Sequence, residues 1–136
     1  MRFIFPLIAA MLLLLGCAGK SAQTGQAAQL GADAPIEFTP LGLTPDKENV
    51  AFTIKVIADK PVVQIDLGIK ETDDGGKVLL DTSLLWQNKE CCPRKPLEKG
   101  KSYDVKEHLV QPGTTRVECV VQRVHFEDGA VWTPKT

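Results

Sequence analysis

Two histidines stand alone in the chain, at His108 and His125, so no histidine cluster is available to hold a metal. A Gly-rich phosphate loop and a nucleophile elbow are both missing. Neither Ser83 nor Ser102 has a histidine and an acid arranged beside it. Basic blocks are absent too. Sixteen Lys and Arg face seventeen Asp and Glu, giving a formal net charge of −1. That balance argues against a nucleic-acid partner. Past Val50 no segment carries a helical period. Only one apolar run approaches membrane-spanning length, and it lies at the start of the chain. What remains is a single modest domain, expected to work without metal, cofactor or catalytic set.

The apolar run extends from Phe3 to Leu15, just after Met1-Arg2. A basic start, a short apolar segment and small residues at a cut site form the three-part layout of a secretory signal. The run closes on Leu14-Leu15-Gly16-Cys17. This tetrapeptide resembles the bacterial lipobox, with Gly16 in the small position before the cut and Leu14 in the apolar position two before it. The resemblance implies cleavage between Gly16 and Cys17 and a diacylated Cys17 as the mature N-terminus. Each buried methylene contributes about 0.8 kcal/mol, and two or more acyl chains anchor durably. An ordinary secretory signal with an incidental Cys and an uncleaved N-terminal helix are the alternatives. Ala18 follows the Cys where Asp would favour retention at the inner membrane. In a Gram-negative cell the resemblance therefore implies the outer membrane.

Residues 1–16 are thus expected to be a cleaved signal peptide, and 17–35 a lipidated N-terminus with a flexible linker. The linker is rich in Ala, Gln, Gly and Ser, and Gly25 and Gly31 interrupt any helix. As a random coil it would reach about 20–25 Å on average. Residues 36–136 form the expected domain. Ile36-Phe38 and Leu41-Leu43, broken by Pro40, read as an edge strand. Val50, Phe52, Ile54 and Val56 alternate with their neighbours at period two. A second strand alternates Val63, Ile65, Leu67 and Ile69 with Gln64, Asp66, Gly68 and Lys70. Asp73-Asp74-Gly75-Gly76 is a hairpin signal rather than a calcium loop, which needs more ligands. Val78 to Trp86 is the next strand, and Ser102-Tyr103-Asp104-Val105 a short one. Thr114 to Phe126 is long and changes phase after Val121, so a bulge is expected near Gln122-Arg123. Glu127-Asp128-Gly129 signals a last hairpin. About seven strands with regular turns predict an all-β sandwich. Trp86, Tyr103 and the Phe126-Glu127-Asp128-Gly129 turn before Trp132 resemble features of immunoglobulin-like and fibronectin type III-like domains of small lipoproteins. The usual inter-sheet Cys pair is absent.

Three cysteines remain beside Cys17: Cys91, Cys92 and Cys119. In an oxidising compartment an odd number needs explaining. Three arrangements stay open. These are a disulfide between one of the adjacent pair and Cys119, a disulfide within the pair, and two thiols that bind a soft metal. Cys119 also reads as a plain core residue between Val117 and Val121. Glu71, Asp73, Asp74, Glu127 and Asp128 fall at expected turns, where solvation accounts for them. His125 is expected to face solvent, and Trp86 and Trp132 to pack the core or sheet ends. The expected role is a non-catalytic binding or assembly module. It would be held in the bacterial cell envelope by its N-terminal lipid and meet a protein partner there. The alternative is a redox or soft-metal-handling protein using Cys91 and Cys92.

Overall fold

The computed structural model describes Ala28, residues 30–88 and residues 95–135. Seven strands are present and no helix among the described residues: β1 (Ile36–Leu43), β2 (Asn49–Val56), β3 (Val62–Thr72), β4 (Val78–Trp86), β5 (Ser102–Leu109), β6 (Arg116–Phe126) and β7 (Val131–Trp132). They form two antiparallel sheets, one ordered β1-β2-β5 and the other β4-β3-β6-β7. The expected all-β sandwich is the observed architecture.

Period-two alternation explains how the sheets close on one another. Val50, Phe52, Ile54 and Val56 of β2 and Ile65, Leu67 and Ile69 of β3 belong to one core, and all are fully buried. A row of rings crosses the core. Phe38 lies 5.5 Å from Phe52, Phe52 6.4 Å from Trp86, and Trp86 6.2 Å from Tyr103. The last two contacts are edge-to-face, the favoured geometry for ring quadrupoles.

Five register shifts interrupt the pairing, and three of them bear on the alternation read from the sequence. Leu41 is the extra residue of β1, between Pro40 and Gly42 in register, which keeps the strand continuous past its proline. Gln122 is the extra residue of β6, at the expected phase change. It returns Val124 to the core, with no exposed surface. The third corrects the expected start of β3. Val63 is skipped in the pairing of β3 with β6, so Val62 is buried in its place and Val63 is only half-buried. Alternation read backward from Ile65 points to Val63, because an extra residue shifts the phase by one. The short strand expected at Ser102 continues to Leu109.

Asp73 closes the β3–β4 hairpin. Its Oδ1 accepts the Gly75 and Lys77 N–H groups at 2.9 Å each, and Gly76 takes φ +80°. The chain entering β5 is stitched to both sheets. The Leu97 N–H donates to the Val62 carbonyl and the Gly100 N–H to the Val56 carbonyl, each at 2.7 Å. Leu97 is buried between the sheets.

Candidate binding surfaces

The sandwich has four sheet edges, and they are not equally defended. An open edge strand offers unpaired backbone groups to any other strand, so proteins blunt it with proline, lysine, bulges or brevity. The β1 edge has Pro40 and the Leu41 bulge, and the Ala28 N–H pairs with the Phe38 carbonyl. The β5 edge has Lys106 and a bulge at His108. On the far edge, β7 is two residues long and pairs Val124 and His125, so β6 forms the rest of that edge, with Arg116, Arg123 and the Gln122 bulge. Among the described residues, β4 alone has none of these devices from Leu80 onward. It has nine residues, no proline and no basic side chain, and its one irregularity lies at Leu79. No described residue pairs with its outer edge. Leu85 on this strand is 62% exposed.

Beside that edge, the outer face of the four-stranded sheet holds a polar network. The Gln87 Nε2 donates to Gln64 Oε1 at 2.7 Å, and the Gln64 Nε2 to Asp66 Oδ1 at 2.6 Å. Asp66 Oδ2 meets His125 Nε2 at 2.8 Å, with the Arg123 Nε 3.6 Å away. The line joins the residue just after β4 to β3 and β6. Ser83 makes a second crossing, donating to Gln122 Oε1 at 3.1 Å over Gly68. A Cβ at Gly68 would lie 2.8 Å from Gln122 Nε2, so glycine leaves room for that side chain. His125 is on the outer face as expected, yet it is bonded to Asp66 rather than free in water. Asp66 is only 5% exposed. Burial pushes its carboxyl up, but the hydrogen bonds from His125 and Gln64, then the charges of His125 and Arg123, bring it below the usual aspartate value.

A carboxyl lowered by folding adds stability above its unfolded pKa, about 3.9, and loses it as pH falls through the lower folded value. Asp66→Asn should therefore be less stable than the parent by a nearly constant margin above about pH 5. The margin should shrink as pH falls below about 4 and vanish only below the lower folded value, where both chains carry a neutral group. Urea midpoints across this range test it. A margin that widens on acidification would reverse the assigned sign.

The opposite end of β3 corrects a second expectation. Glu71 does not sit in solvent at a turn; it is fully buried. Its Oε2 accepts the Gln111 N–H and the Thr114 hydroxyl at 2.9 Å each, and its Oε1 meets His108 Nε2 at 2.6 Å. His108 is the extra residue of the β5 bulge and has φ 74°, a backbone region that side chains other than glycine rarely take. The other acidic residues lie at turns as read. Asp128 pairs with Lys60 at 2.8 Å, and Asp59 pairs with Lys99. Their lysine partners hold both carboxyls below the ordinary value.

Residues 30–35 enter the sandwich at the end where the β2–β3, β4–β5 and β6–β7 connections meet. A cleft of about 550 Å3 there is lined by Pro35, Ile57, Lys60, Phe126 and Trp132 among others. The Lys60 ammonium stands 5.8 Å above the Phe126 ring. Trp86 is buried and Trp132 half-buried, which matches the packing roles expected of them.

Cys119 is buried, faces the core and is free of any disulfide. Burial pushes its thiol up to about 12, which removes it as a nucleophile at neutral pH. Cys17, Gly16, Cys91 and Cys92 lie outside the described residues. Among the described residues no group of three His, Cys, Asp or Glu side chains could hold a metal, and no helix is long and apolar enough to cross a membrane. The surfaces that sequence reading missed are the β4 edge and the two buried carboxylates, since both depend on which strands become neighbours. No protein-family model, curated protein or solved structure matches the chain.

Proposed function

We propose that this chain is a lipid-anchored component of the bacterial cell envelope, in the outer membrane of a Gram-negative cell, that acts by assembling with another protein through the β4 edge. The undefended β4 edge is the observation that carries this reading. Adding a strand to such an edge supplies main-chain hydrogen bonds for affinity and side-chain contacts for register. The sandwich itself is read as immunoglobulin-like or fibronectin type III-like, with the three-plus-four strand order as support. Anchoring rests on the Leu14-Leu15-Gly16-Cys17 sequence, whose cysteine would carry the lipid.

Two measurements test the reading. The intact mass of chain extracted from membranes should correspond to an N-terminus at Cys17 bearing acyl groups. An uncleaved N-terminus would remove the anchor. Native electrophoresis of detergent extracts should show a complex larger than one chain. Leu85→Lys should dissolve that complex while the chain stays in the membrane fraction. A complex of unchanged size would move the contact off β4.

A further inference from the structure

β4 reads V-L-L-D-T-S-L-L-W from Val78 to Trp86, a partial palindrome with Leu-Leu on either side of Asp81-Thr82-Ser83. We propose that the partner of this edge is a second copy of the chain, paired β4 to β4 in antiparallel fashion about a two-fold axis at Thr82. The inference rests on the assembly role just proposed for β4 and names its occupant.

The register follows from the strand itself. Antiparallel pairing centred on Thr82 sets Leu80 opposite Leu84 of the second copy and Asp81 opposite Ser83. The two Asp81 carboxylates are thereby kept from facing each other, and each gains a hydroxyl donor opposite it. Leu80 and Leu84 are half-buried in the single chain, with apolar surface left to cover. Matched cross-strand pairs of this kind are the unit of sheet stabilisation, and like charges directly opposed would oppose it. A shift of one residue would break the match by moving each leucine to the wrong face. A two-fold contact uses one patch on both copies, so it closes at two and leaves no open edge at β4. The product is one eight-stranded sheet ordered β7-β6-β3-β4-β4-β3-β6-β7. Its axis stands perpendicular to the sheet, so two lipid-anchored copies lying flat would present both tethers to one membrane at equal height.

The full chain in non-ionic detergent, with detergent mass subtracted, should scatter light as two copies. Thr82→Lys places two ammonium groups together at the axis and should return the mass to one copy with an unchanged circular dichroism spectrum. Thr82→Cys brings two thiols to the axis, where facing Cα atoms lie about 4.5–5.5 Å apart, within disulfide range. Mild oxidation should convert it to a covalent pair beyond the background of the parent's own cysteines, and Lys106→Cys on the β5 edge should not respond. A parent of one-copy mass whose Thr82→Cys form stays single would overturn the proposal. In membranes, Thr82→Cys bonded to a different protein would overturn the second copy while leaving assembly at β4 in place. Its failure to bond to a second copy in membranes would also overturn the proposal, and the Leu85→Lys test would then decide assembly at β4 separately.

Discussion

Glu71→Ala should lower the melting temperature by about 10–40 °C. A buried donor left without its acceptor costs about 1–3 kcal/mol, two are left here, and each kcal/mol moves a domain of this size by about 4–8 °C. Whole-domain stabilities run about 5–15 kcal/mol, so the loss takes a large fraction of the total. The geometry explains the size. Removing the carboxylate strands the Gln111 N–H and the buried Thr114 hydroxyl, and it releases His108. His108 holds φ 74° while its ring is tied to Glu71, so backbone strain and side-chain bond are balanced at one residue. Glu71→Gln keeps the volume and one acceptor oxygen and should lose about 1–2 kcal/mol. His108→Gly should be better tolerated than His108→Ala, because both lose the ring but only glycine sheds the strain, by about 1 kcal/mol. Thermal and urea unfolding of the four variants test the set. A Glu71→Ala chain within about 1 kcal/mol of the parent would show that the buried carboxylate is not what holds the β5–β6 connection.

The two carboxylates also show why the fold was more legible than its surfaces. Alternation in β2 and in Ile65–Ile69 is a local signal, and so is the phase change that marks the Gln122 bulge. Each follows from residues within one strand. Glu71 has the parity of Ile65, Leu67 and Ile69, which points it inward, but its partners lie 37 to 43 residues further along. Nothing beside Glu71 in the chain announces that His108 and Thr114 will meet it. Asp66 and His125 are 59 residues apart and come together through the β3–β6 register, itself set by the bulge. The partial palindrome of β4 was visible in the sequence, yet it carries meaning only because strand order leaves β4 at an edge. Val63 failed for the opposite reason: a local rule was applied across a bulge that only the partner strand reveals.

Phe52→Ala should cost about 3–5 kcal/mol, the range for removing a fully buried ring. Phe52 has no exposed surface and sits on the central strand of the three-stranded sheet. Its ring touches Phe38 on one side and meets the Trp86 ring edge-on at 84° on the other. Truncation therefore opens a cavity at the middle of the ring row and cuts it in two. Neighbours on two stiff sheets can refill that space only in part, so the cost adds lost contacts to lost burial. Phe52→Leu leaves a smaller void and should recover more than half of the loss. Phe126→Ala offers the control at the sandwich end. That ring is half-buried, and its Lys60 contact is partly solvated, so the cost there should be less than half as large. Urea unfolding followed by tryptophan fluorescence separates the cases. The Phe52→Ala midpoint should fall with an unchanged slope, and native emission should shift to the red as the Trp86 environment loosens. Equal losses at Phe52 and Phe126 would mean that the sandwich is not organised around this row of rings.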